Sequence, residues 1–270
     1  MRTSKLGLLL RSPGEAYDRI TNKAHSWRSW STKKCTLEGL AGPSDLAREV
    51  SALFAGTSEV LGDASRIRER IHAQEAQLTG PFGKFHDGTA TLGELCYLTC
   101  RRLRPAVVVE TGVAYGVTSA YILQALDENG YGELHSIDLP PLAANAKQYV
   151  GHFVPFELRT RWRLHVGLAN RLLPVILRET GSIDVFVHDS LHTYSHMKWE
   201  FETALQALRP GGVIISDDVE GNRAFEEITR HPLVDSWFAI RQQGKDALCG
   251  ALRTKAELSF SIPPLRNSAG

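Results

Sequence analysis

The stretch that decides the fold is Val107-Val108-Val109-Glu110-Thr111-Gly112-Val113-Ala114-Tyr115-Gly116-Val117-Thr118-Ser119, followed by a mostly apolar run through Leu126. Consecutive β-branched residues favour a buried strand, the glycines mark a tight turn, and the run beyond has the length of a helix. A strand, a glycine turn and a helix together aim a helix N-terminus and bare backbone at whatever sits in the turn. The expected ligand is a nucleotide or a similar polar molecule. A dinucleotide fingerprint needs G-x-G-x-x-G, whose second glycine makes room for a pyrophosphate. Here every residue between Gly112 and Gly116 carries a side chain. Glu110 is read at the mouth of the turn, where a carboxylate repels phosphate and suits an ammonium or a hydroxyl. The alternative reading of the turn, taken alone, is a plain strand-to-helix connection such as any α/β protein has.

Outward from it, β-rich runs alternate with helical stretches: Ala106–Val109, Leu134–Ile137, Trp162–Val166, Val185–Val187 and Val213–Ile215. That alternation predicts a parallel sheet covered by helices. Trp237–Ile240 and Ala247–Leu252, joined by a short polar link, predict an antiparallel pair at the sheet edge. The fold expected is therefore α/β: a Rossmann-like, doubly wound, mostly parallel seven-stranded sheet with an antiparallel C-terminal hairpin and an N-terminal helical extension. Upstream, Thr91-Leu92-Gly93-Glu94 reads as a capping box opening a helix to about Leu103, which Pro105 closes. The breakers Gly80-Pro81-Phe82-Gly83 set the boundary between an arm and helical extension, 1–79, and the main domain, 80–270. Within the extension, Ser44 to Gln77 reads as helical, with Leu46, Val50, Leu53 and Phe54 at helical spacing and then Ile67 and Ile71. Lys23 to Lys34 mixes Trp27 and Trp30 with basic residues, as a lid, a homo-oligomer contact or a substrate-facing arm would.

Composition narrows the function classes. With 270 residues, 43% hydrophobic and 23% charged, the chain is long enough and apolar enough for a real core. Its net charge of +1 provides no global field for nucleic acid or an anionic membrane. Arg11 cuts the run Leu6 to Leu10 far short of a signal-peptide core, and no later run is long enough to span a bilayer. The scattered Cys35, Cys96, Cys100 and Cys249 suit a reducing, cytoplasmic setting. Cys96 and Cys100 lie four apart on an apolar helix face, where buried thiols are inert.

Two further strand ends carry chemistry. Glu133-Leu134-His135-Ser136-Ile137-Asp138 stops at an acid, where doubly wound folds hold a ribose diol; Asp138 alternatively opens the turn at Leu139-Pro140-Pro141. The strands at Val185-Phe186-Val187-His188-Asp189 and Val213-Ile214-Ile215-Ser216-Asp217-Asp218 both run apolar and stop at carboxylates. In a parallel sheet Asp189, Asp217 and Asp218 converge on one edge, a pattern that suits a hard cation with open positions. The structural alternative makes Asp217-Asp218 a helix cap and Asp189 a turn residue. His188 alternates away from Asp189 and reads as a packing histidine, His196 lies one helical turn past His192, and His86-Asp87 sits in a loop near the site.

Glu110-x-Gly112-x-x-x-Gly116, Asp138, Asp189-x-x-His192-x-Tyr194 and Leu208-Arg209-Pro210-Gly211-Gly212-Val213 into Asp217-Asp218 together resemble the class I S-adenosylmethionine-dependent methyltransferases. The last two segments are similar to the metal-dependent small-molecule O-methyltransferases of the catechol type and the bacterial methyltransferases of macrolide sugars. The resemblance implies that Glu110, Gly112 and Gly116 line the methionine part of S-adenosylmethionine, that Thr118 lies near its carboxylate, and that Asp138 holds the ribose. It places Leu168 and Ala169 beside adenine, makes Asp189, Asp217 and Asp218 ligands of Mg²⁺ or another divalent cation, and counts Asp189 among the cofactor contacts. Where the catechol type has a lysine base, this chain has His192, which at ordinary basicity takes a proton from an acidified hydroxyl. The implied acceptor is a small molecule with a hydroxyl, one of a vicinal pair, on a sugar or glycosylated natural product. The alternatives are a catechol-like phenol, a non-catalytic binding protein on the same fold, a dehydrogenase, and a hydroxylase, for which the sequence lacks a His-x-Asp pair to hold iron.

Overall fold

The structure is a computed structural model that describes residues 42, 45–55, 62–75, 88–142 and 145–256. Trp27, Trp30 and the basic arm, Cys35, Gly80 to Gly83 and His86-Asp87 lie outside the described residues. In chain order the elements are α1 (Leu46–Leu53), α2 (Ser65–Glu75), α3 (Ala90–Leu103), β1 (Val107–Thr111), α4 (Val117–Asn129), β2 (Glu133–Asp138) and α5 (Ala146–Tyr149). A 3₁₀ turn (Phe156–Arg161) then leads into β3 (Trp162–Val166), α6 (Ala169–Thr180), β4 (Ile183–His188), α7 (Tyr194–Ala207), β5 (Leu208–Ser216), α8 (Ala224–Ile228), β6 (Val234–Arg241) and β7 (Leu248–Thr254).

The strands form one seven-stranded sheet in the order β3-β2-β1-β4-β5-β7-β6. β3, β2, β1, β4 and β5 are mutually parallel, and β7 runs antiparallel to both β5 and β6. This is the doubly wound, mostly parallel sheet expected, with one refinement. The second strand of the C-terminal pair inserts beside β5, so β6 rather than β7 forms the edge. The strand order reverses between β1 and β4, which opens a crevice at their carboxyl ends.

Alternation along the strands builds two cores. Val108, Val185, Val187, Val213 and Ile215 face α3 and α4, whereas Val109, Phe186 and Ile214 face α6, α7 and α8. Each fully buried Val, Leu or Ile contributes roughly 1.5–3 kcal/mol. Asp184 fastens the base of the sheet, accepting from the amides of Ala106 (2.7 Å) and Val107 (2.8 Å) and pairing with Arg209.

α1 and α2 join the first of these cores, with Leu46, Val50, Leu53, Ile67 and Ile71 all buried. Phe54 lies between the guanidinium groups of Arg102 and Arg253, 6.0 and 5.1 Å from its ring centre. Ser236 of β6 donates to the Leu53 carbonyl at 3.2 Å.

The start of α3 departs from the sequence expectation. Thr89 is the N-cap and accepts from the Leu92 amide at 3.2 Å. Thr91 lies inside the first turn, where its hydroxyl accepts from the Gln243 amide, and Glu94 pairs with Arg68 at 2.9 Å instead of closing a capping box. Three-residue spacing matches a box at Thr91, but tertiary partners claim both side chains. The helix ends as expected before Pro105, with Arg104 in the left-handed region at φ 50°.

Candidate active site

The pairing register sets the site. Thr111 lies beside Ile137 and His188, Asp138 beside Val166, and His188 beside Ser216. Gly112, Asp138, Asp189 and Asp217 therefore emerge together at the carboxyl edge. The sheet hydrogen bonds continue one step beyond the strands: Gly112 N to Ile137 O, Asp189 N to Thr111 O, Asp217 N to His188 O and Gly167 N to Asp138 O, all 2.8–2.9 Å.

Gly112 adopts φ 86°, and a Cβ there would sit 1.9 Å from the Asp189 carbonyl oxygen. Only glycine lets the turn and the loop after β4 approach this closely. Asp138 clamps the turn from the other side, its Oδ2 accepting from the amides of Ala114 (2.8 Å) and Val113 (3.2 Å). Gly116 turns its open face to Gly151, whose amide donates to Ala114 O at 3.0 Å. Gly116 thus makes room for the chain at 151–154 rather than for a ligand on that face. Leu168 and Ala169 begin α6 next to the end of β2. Thr118, in the first turn of α4, has a buried hydroxyl with no hydrogen-bond partner among the described residues. Gly88 lies against it: a Cβ at Gly88 would be 2.2 Å from Thr118 Oγ1 and 3.3 Å from Asp189 Oδ2. The lead-in to α3 therefore crosses directly over the turn.

Glu110 is not at the mouth. It shares the face of Val108, beneath the turn, and is fully buried. Its Oε2 accepts from Ser119 (2.6 Å) and Ser136 (2.7 Å), while Oε1 has no partner among the described residues. Burial pushes its carboxyl up to about 7, against the two serine hydrogen bonds and with the help of Asp138.

On the other side of the crevice, Asp189, His192 and Asp217 each offer a donor atom within 4.8 Å of the others. His192 Nδ1 is 3.4 Å from Asp218 Oδ2 and its Nε2 is 3.8 Å from Asp189 Oδ1. That Nε2 is buried and makes no hydrogen bond among the described residues. Burial, together with the His188 ring 5.2 Å away, lowers His192 to about 4 against the pull of Asp217 and Asp218. The imidazole is thus neutral at neutral pH. Asp218, expected as the third ligand, is not one of the three that converge this closely: it touches His192, adopts φ 47° and pairs with Lys245 Nζ at 2.6 Å. Lys245 also reaches Asp217 Oδ2 at 2.9 Å, and Gln242 Nε2 donates to Asp217 Oδ1 at 2.6 Å.

Behind the site lies a buried acid that the sequence reading missed. Glu200 is wholly enclosed, and its carboxylate meets His188 Nδ1 (2.5 Å), Thr111 Oγ1 (2.7 Å), His196 Nε2 (2.9 Å) and Ser190 Oγ (3.2 Å). It joins the end of β1 to the end of β4 and the start of α7. His188 is accordingly a packing histidine with an ionic partner, and His196 belongs to the same cluster. The cysteines of α3 are buried, and burial raises both thiols.

These donors suit the groups the resemblance implies. An unpartnered Thr118 hydroxyl beside a glycine turn fits a polar cofactor. One oxygen each from Asp189 and Asp217 fits a divalent cation, and the imidazole beside them fits a proton acceptor.

The comparisons agree with this geometry. Residues 109–219 match a family described as a methyltransferase domain. The matched stretch runs from β1 to just past β5, and the sheet has the Rossmann-like fold of the methyltransferase structures it resembles. Among solved structures, the chain is similar to an O-methyltransferase from Bacillus cereus in complex with SAH, at 19% identity over 78% of this chain and 100% of that one, TM-score 0.54. It is similar as well to the O-methyltransferase TomG of Streptomyces achromogenes, involved in tomaymycin synthesis and bound to SAM, at 19% identity over 78% and 99%, TM-score 0.56. A third is a putative caffeoyl-CoA O-methyltransferase from Staphylococcus aureus, at 15% identity over 77% and 98%, TM-score 0.51. No curated protein matches by sequence. Among the described residues no helix is long and apolar enough to cross a membrane.

Proposed function

We propose that the protein methylates a hydroxyl of a small molecule, a sugar or glycosylated natural product, using S-adenosylmethionine and a divalent cation. The observation that carries this is the convergence of Asp189, His192 and Asp217, whose side-chain ligand atoms all lie within 4.8 Å of one another at the switch point beside Gly112. S-adenosylmethionine, when bound, supplies an electrophilic methyl group, and a divalent cation, when bound, acidifies an acceptor hydroxyl. The chain's own residues do the rest. Asp138 holds the glycine turn in shape and holds the ribose. The turn backbone and the Thr118 hydroxyl seat the methionine end, with Leu168 and Ala169 against adenine. Asp189, Asp217 and Asp218 hold the cation, and His192, outside the ligand set, receives the acceptor proton at Nε2. The lead-in at Gly88 and Thr89 shields the turn from water. Because His192 is held neutral, it enters the reaction able to accept a proton without first losing one.

The test is calorimetric titration of S-adenosylmethionine and S-adenosylhomocysteine, with and without Mg²⁺, on wild type and Asp138→Ala. Binding of micromolar order that Asp138→Ala weakens at least tenfold supports the proposal. No binding by wild type overturns it.

A further inference from the structure

Lys245 belongs to the turn between β6 and β7, and that turn is pinned onto the site. Gln242 is buried and joins the Thr89 hydroxyl to Asp217, and the Gln243 amide donates to Thr91 Oγ1 at 2.9 Å. The Lys245 ammonium consequently stands over the ends of two carboxylates, 2.9 Å from Asp217 Oδ2 and 2.6 Å from Asp218 Oδ1. Asp217 is only 2% exposed, so water does little to screen this pair. We propose that Lys245 is a resident counter-cation of the acidic site, and that a divalent cation binds Asp217 only by displacing the ammonium.

The argument is one of charge and space. Asp189, Asp217 and Asp218 bring three carboxylates to one edge of the sheet, where they repel one another. With its one positive charge Lys245 offsets part of that repulsion and holds the Asp217 oxygen that faces away from Gln242. Both oxygens of Asp217 are therefore engaged in the metal-free protein. Removing the ammonium frees one oxygen on each of Asp217 and Asp218 and makes the site more negative. Metal affinity should rise as a result. Since a hydroxyl drawn to an ammonium and one drawn to a divalent cation are both acidified, the same turn also sets how strictly the protein depends on metal.

This inference rests on the proposed function for its view of the acidic site, but its test does not require turnover. Mn²⁺ is titrated into wild type, Lys245→Met and Lys245→Arg, with free Mn²⁺ followed by electron paramagnetic resonance. Lys245→Met is expected to bind Mn²⁺ at least tenfold more tightly than wild type, and Lys245→Arg to stay as weak as wild type. In parallel, acylation of Lys245 in wild type, read by mass spectrometry, is expected to increase when Mn²⁺ is added. Equal or weaker Mn²⁺ binding by a folded Lys245→Met overturns the proposal, as does the absence of Mn²⁺ binding in every form. If Lys245→Met does not fold, by circular dichroism, the acylation experiment decides: unchanged labelling with Mn²⁺ overturns the proposal. Binding of S-adenosylhomocysteine, measured separately, reports on the methyltransferase reading alone.

Discussion

Replacing Glu110 with glutamine should remove most of the alkaline weakening that this one carboxyl imposes on the fold. Glu110 is 0% exposed, and burial raises its carboxyl from 4.5 to about 7. A carboxyl whose folded value lies above its unfolded value stabilises the folded state in acid. That stability is fully present below about 4.5 and is lost as pH rises through about 7. The shift of about 2.5 units, at about 1.4 kcal/mol per unit, is a loss of about 3 kcal/mol. Glutamine is neutral at every pH, and its carbonyl can still accept from Ser119 and Ser136, so the variant escapes the loss. Urea unfolding of wild type and Glu110→Gln at about pH 4.5 and about pH 8.5 measures it. Subtracting one protein from the other cancels the remaining titrating groups. The variant should gain about 3 kcal/mol on wild type between the two conditions. A difference that is the same at both pH values would refute the idea that an ionised Glu110 is the costly state.

Gly112→Ala places a Cβ 1.9 Å from the Asp189 carbonyl oxygen at a backbone φ of 86°. It should cost about 3 kcal/mol or more, seen as a lowered Tm; a loss under about 1 kcal/mol would mean that the two loops separate freely. In Glu200, burial favours the neutral acid, but His188 and His196 outweigh it and hold the carboxyl well below its usual range. Glu200→Gln should therefore cost about 3–5 kcal/mol near neutral pH. In wild type that stabilisation is present above the ordinary glutamate range and fades as pH falls towards the depressed value, which acid titration of Tm on both proteins will show. His192→Ala should slow single-turnover methyl transfer by about a hundredfold while leaving S-adenosylhomocysteine affinity within a few fold; unchanged turnover would remove His192 from the reaction.

Sheet and switch point were legible because their signals are local. A β-branched run before Gly112 and apolar runs ending at Asp138, Asp189 and Asp217 each need only neighbours in sequence. Side-chain facing was less legible. Glu110 is two residues from Val108 and so shares its core-directed face, but a carboxylate beside a glycine turn looks like a ligand contact until the packing of Ser119 and Ser136 is seen. Glu200 hides for a related reason. With His196 four residues earlier it has the spacing of a solvated helix pair, and only the fold shows that β1 and β4 enclose it. Lys245 carried no signal, because a lysine in a Gly-Lys-Asp turn normally projects into water. Its role follows from β7 inserting beside β5, which swings the turn over Asp217.

The packing of α1 and α2 bears on how this protein can be handled. Their Leu46, Val50, Leu53, Ile67 and Ile71 complete the same core that supports the sheet. A shortened form beginning at residue 80 would uncover an apolar trench along α3, α4 and β6, inviting aggregation instead of yielding a minimal folded unit. Chimeras that graft a different acceptor-binding region onto this sheet would have to carry both helices or replace their buried surface. The two helices are thus part of the core that supports the sheet, and a change in one of their buried residues acts on the sheet as a core substitution does.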